Sequence, residues 1–180
     1  MIFTEYFINR QIERLQKRAS GTRRPCYRAL DDVRHILILC DVSDWKTVEA
    51  CIQTLKAMKK SVQVCIYTPM QDHTRIWDYG YLLVEAKKDI DCWGFPKKYI
   101  LDQLRHLPAD MLLDLTGSES PPALRYLMLR HPVTFKVGAK RASGGDWYDF
   151  SIVMKDGVHD IPFLFRQVLN YLQMIRSKNP

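Results

Sequence analysis

The segment Ala109 to Arg141 constrains the fold of this chain more than any other, because it alternates strand, helix and strand signals within about thirty residues. Met111-Leu112-Leu113-Asp114-Leu115 is apolar but for one acid, the pattern of a strand covered on both faces of a parallel sheet. Ser120 suits a helix N-cap, with Pro121 at the first helical position, where a missing N–H is harmless. Leu124, Leu127 and Met128 follow at helical spacing, and Pro132 stops the helix. Thr134 to Val137 returns to β character just before Gly138. A right-handed crossover between two parallel strands is therefore expected.

The same alternation runs through the rest of the chain. His35-Ile36-Leu37-Ile38-Leu39-Cys40-Asp41 is a second buried-strand run that ends in an acid. Ser43 or Asp44 can cap the next helix, whose apolar positions are Val48, Cys51, Ile52, Leu55 and Met58. Val62, Val64 and Ile66 mark another strand, Tyr81 to Val84 a third, and Trp147 to Met154 a last one. Pro96 opens a helix that runs to about His106, and a closing helix spans about Asp160 to Ser177. Residues 70–95 are the least regular and hold Trp77, Tyr79, Trp93 and Phe95, rings expected to cover one end of the sheet. The pattern predicts a three-layer α/β domain with a mostly parallel sheet of five or six strands.

Length and charge narrow the organisation further. A chain of 180 residues holds one domain with a sizeable core, and 47% hydrophobic residues argue against wholesale disorder. No apolar run reaches the roughly 20 residues of a membrane span, and no secretion signal is evident, so a soluble, cytoplasmic protein is expected. The five cysteines form no C-x-x-C pair and the five histidines are scattered, so neither a disulfide framework nor a zinc site is expected. Of the formal charge of +7, residues 1–24 contribute 6 − 2 = +4. Residues 1–25 therefore form a basic amphipathic helical leader and linker, and 26–180 the single α/β domain. In the leader Ile8, Ile12, Leu15 and Ala19 share one side, and Arg10, Arg14 and Lys17 point the other way. Such a helix docks on its own domain or a second copy, meets a protein partner, or lies on a membrane surface or nucleic acid.

The assembled motifs resemble a family of small bacterial proteins classified only as a domain of unknown function. The marks are the basic leader, the ILILCD strand, WGFPK at 93–97, LPADMLLDLTGS at 107–118, FKVGAKR at 135–141 and YDF near the last strand. The resemblance implies an α/β fold and no particular activity. More weakly, residues 111–141 are similar to part of the N-terminal half of heptosyltransferase-like glycosyltransferases, whose nucleotide-sugar is held mainly by a second domain.

Chemistry is expected where strand order reverses, beyond the carboxyl ends of the strands. In a Rossmann-like order with the first strand beside the Met111 strand, Asp41, Asp44, Asp114 and Glu119 converge there and would suit magnesium. Phosphate is disfavoured, since Pro121 and Pro122 remove two N–H groups from the helix start and Glu119 adds negative charge. No G-x-G-x-x-G, Walker or G-x-S-x-G sequence occurs. Partner contacts are expected at Arg10, Arg14, Lys17 and Arg18 of the leader and at Lys140 and Arg141. These features point to a non-catalytic binding or interaction module; the alternative is a small metal-dependent or glycosyltransferase-like enzyme using the strand-end carboxylates.

Overall fold

A computed structural model describes residues 2–22, 26–69, 81–116, 120–140, 148–154 and 160–175. In chain order the elements are α1 (Ile2–Thr22), β1 (His35–Asp41), α2 (Trp45–Ala57), β2 (Ser61–Thr68), β3 (Tyr81–Glu85), α3 (Ala86–Asp89), α4 (Lys98–His106), β4 (Met111–Asp114), α5 (Pro122–Arg130), β5 (Phe135–Lys140), β6 (Phe150–Val153) and α6 (Ile161–Met174). The six strands form one sheet in the order β3-β2-β1-β4-β5-β6, and every pairing is parallel. β1 lies at its centre, with Ile36 opposite Met111 and Leu39 opposite Asp114 across the β1–β4 boundary.

Residue alternation along the strands builds two cores, one on each face of the sheet. Ile36, Ile38, Val64, Ile66, Met111, Leu113, Phe135 and Val137 pack with Val48, Ile52 and Leu55 of α2 and with Leu164, Val168 and Leu172 of α6. Leu37, Leu39, Cys65 and Leu112 point the other way and pack with Ile8 and Ile12 of α1, Ile100 and Leu104 of α4, and Leu124 and Leu127 of α5. Ile8 and Ile12 of the basic leader are thus part of the second core: Ile8 is 1% exposed. Arg125 of α5 also donates to Asn9 Oδ1 of α1 at 3.0 Å.

Element ends differ from expectation in several places, each for a local reason. Pro121 adopts an extended conformation at the N-cap of α5, so Pro122 and not Pro121 is the first helical residue. A residue that precedes proline is pushed away from the helical region, and consecutive prolines apply that rule to Pro121. The buried Ser120 Oγ has no hydrogen bond among the described residues and so does not cap the helix. At α2 neither Ser43 nor Asp44 caps with its side chain; Asp41 instead accepts from the Ser43 N–H. β5 runs through Gly138 to Lys140. β6 begins only at Phe150, because Asp149 turns its carboxylate onto the Lys136 N–H at 2.7 Å. Asp160 caps α6 by accepting from Phe163 N at 2.8 Å.

Candidate ligand crevice at the carboxyl edge of the sheet

Strand order reverses between β1 and β4: the chain moves from β1 outward to β2 and β3, then returns to β4 and continues to β5 and β6. Helices leaving neighbouring strands on opposite sides open a crevice at such a point. Asp41 closes β1, and alternation places it on the face of Leu37 and Leu39, the face to which Asp114 of β4 also belongs. Asp41 Oδ1 accepts from Ser43 N at 2.9 Å and from Ser43 Oγ at 2.8 Å. Its Oδ2 makes no hydrogen bond among the described residues, and the side chain is half-buried.

Asp114 is 1% exposed and lies in a hydrogen-bonded nest. Its Oδ1 accepts from Thr116 N at 2.8 Å and Thr116 Oγ1 at 2.5 Å, an Asx-type turn that ends the strand. Its Oδ2 accepts from Tyr148 Oη at 2.6 Å. Tyr148 reaches it by crossing β5 at Gly138, where a Cβ would lie 2.5 Å from the tyrosine Cζ. Only glycine leaves room for the ring at that position.

Burial pushes the Cys40 thiol well above its ordinary range, and Cys65, Asp41, Asp44 and Asp114 add to that shift. Tyr67, paired with Asp41 across β1 and β2, is likewise raised, first by burial and then by Asp41. Among the described residues, however, no group of three or more His, Cys, Asp or Glu is placed to hold a metal ion. Glu119, the fourth acid expected in that group, lies outside the described residues.

The basic residues of the leader, Arg10, Arg14, Lys17 and Arg18, are exposed on α1, and Lys140 is exposed at the end of β5; Arg141 is outside the described residues. Sequence reasoning missed Tyr67, Thr116, Gly138 and Tyr148. A lone glycine inside a strand pattern, with an Asp-x-Thr turn one strand away, was the available signal for a close approach there. The cysteines are free, as expected, and Cys65 is pushed up to about 12 by burial.

The described histidines sit at the opposite, amino edge of the sheet. His35 opens β1 and pairs with Asp110 at 3.3 Å; His106 ends α4 and His131 precedes β5. His131 is buried, with Nε2 3.3 Å from Leu107 O and Nδ1 accepting from Val133 N at 3.2 Å.

No curated protein and no solved structure matches the chain. Neither comparison supports the expected likeness of residues 111–141 to glycosyltransferases. A family model matches residues 4–175, from the first turn of α1 to the end of α6, and on that extent the chain belongs to the family of unknown function DUF6913.

Proposed function

We propose that this chain is a non-catalytic binding module whose crevice between β1 and β4 takes a small, hydroxyl-rich, uncharged ligand such as a nucleoside or a sugar. The observation that carries the reading is Asp41. Its Oδ1 is occupied by Ser43, while Oδ2, on a half-buried side chain, has no hydrogen bond among the described residues. A carboxylate in that state accepts from hydroxyl or amine donors, and a vicinal diol can present two. Tyr67, paired across from Asp41, supplies an apolar ring for a base or the face of a sugar.

Anionic ligands fit poorly. Asp41, Asp44 and Asp114 all raise the local negative potential. Pro122 opens α5 without an N–H, so that helix start offers a phosphate one donor fewer. Catalysis has little support, because the described histidines belong to the amino edge, far along the strands from these acids. Outward display of the basic α1 face fits a module that also contacts a partner.

Isothermal titration of the full chain with adenosine and with ATP tests this directly. Adenosine is expected to bind more tightly than ATP, and Asp41→Asn to weaken adenosine by about tenfold, the loss of one charge-assisted hydrogen bond. Binding of ATP alone, strengthened by magnesium, would support the metal-dependent alternative instead.

A further inference from the structure

The end of α1 that carries Tyr6 and Phe7 holds an aromatic cluster which the crevice does not use. Tyr6 is 58%, Phe7 42% and Trp93 52% exposed, yet the three rings pack together: Tyr6 to Phe7 at 5.6 Å and Phe7 to Trp93 at 5.0 Å, both edge to face. Trp93 is held out by a locked turn. Asp91 Oδ1 accepts from Trp93 N at 2.8 Å and Phe95 N at 2.9 Å, Asp91 N donates to Phe95 O, and Gly94 takes the positive φ of 85° that the turn needs. An exposed tryptophan on so constrained a turn is presented to solvent by design of the backbone, not by fraying.

Basic residues continue from this cluster along one side of the helix. Arg10, Arg14 and Lys17 follow Phe7 at i+3, i+7 and i+10, all exposed, while Ile8 and Ile12 turn inward to the core. Lys97 and Lys98, just beyond the Trp93 turn, are exposed as well. Ile8 and Ile12 of α1 are already buried in their own domain, so that face of the helix is not free to insert into a bilayer. What the helix offers is an aromatic tip with a cationic flank, the chemistry of a shallow contact with anionic headgroups.

We propose that Tyr6, Phe7 and Trp93, flanked by Arg10, Arg14 and Lys17, form a docking surface for an anionic phospholipid bilayer. Edge-to-face packing favours this occupant over nucleic acid. Base stacking needs open ring faces, and here ring edges cover part of them. Charge complementarity sets the sign: the flank attracts anionic lipid and is indifferent to a neutral one. The surface is independent of the ligand reading for the crevice, so each stands or falls alone.

Co-sedimentation of the full chain with vesicles tests the proposal. Vesicles of equal parts phosphatidylcholine and phosphatidylserine should pellet the protein, phosphatidylcholine alone should leave it in solution, and raised salt should release it. Trp93→Ala with Phe7→Ala should weaken vesicle binding on the order of tenfold or more, and Arg10→Ala about fivefold. All three side chains are exposed, so thermal melting of these variants should match the parent. No binding to the anionic vesicles, or binding that neither set of substitutions reduces, overturns the proposal. So does a single-stranded oligonucleotide that binds through the same residues while vesicles do not.

Discussion

Tyr148 donates its hydroxyl to Asp114 Oδ2 at 2.6 Å, and the ring gets there only because residue 138 of the intervening strand has no side chain. The pair joins the segment before β6 to the centre of the sheet. Tyr148→Phe removes a donor from a carboxylate that is 1% exposed, and should cost about 1–3 kcal/mol in urea denaturation. Gly138→Ala should cost a comparable amount, roughly 1–3 kcal/mol, by displacing the ring. In a Tyr148→Ala background the same Gly138→Ala change should cost less than about 1 kcal/mol, because nothing remains to be displaced. Equal costs in both backgrounds would contradict the contact.

α1 belongs to the folded domain through two side chains. Ile8 and Ile12 are 1% and 2% exposed within the core shared with α4 and α5. Ile8→Ala or Ile12→Ala should each cost about 2–4 kcal/mol, whereas Arg14→Ala, on the opposite side, should stay within roughly 0.5 kcal/mol. Denaturation curves separate these outcomes, and a loss of only the Arg14 size at Ile8 would make the helix an appendage.

His131 gives the fold a defined response to acid. Burial first, and Lys136 with it, holds its pKa below the ordinary histidine value of 6.5, against the pull of a hydrogen bond to the Leu107 carbonyl. The neutral ring with its proton on Nε2 donates to Leu107 O and leaves Nδ1 to accept from Val133 N–H. The unfolded chain takes up a proton near pH 6.5, above the point where the folded chain does, so stability falls as pH drops through that value. The melting temperature should therefore decline between pH 7.5 and 5.5 (about one unit either side of the free histidine), and His131→Phe should flatten part of that decline.

Much of this architecture was legible in the residue pattern. The run HILILCD gave β1 residue for residue, and the helical spacing of Leu124, Leu127 and Met128 gave α5 to within two residues at its start. Both carry strong periodicity and sit where burial leaves one solution. The parallel neighbouring of β1 and β4 is the one expected of a Rossmann-like strand order. What escaped was long-range: Tyr148 is thirty-four residues from Asp114 in sequence, and no local period encodes their meeting across Gly138. The cap at α2 escaped for a related reason. Asp41 reads as a strand end, and only the turn geometry shows its carboxylate serving Ser43. Of the acids expected to share one metal, Asp114 is engaged by Thr116 and Tyr148, a commitment invisible in its position along the chain.

Amide chemical-shift mapping of the labelled full chain during an adenosine titration distinguishes ligand binding at the carboxyl edge between β1 and β4 from binding elsewhere. Binding there should give saturable shifts concentrated at Asp41, Tyr67 and Thr116, reduced in Asp41→Asn, with His35 and Asp110 at the amino edge unmoved. Shifts centred on His35 and Asp110, or none at any of these amides, would contradict it.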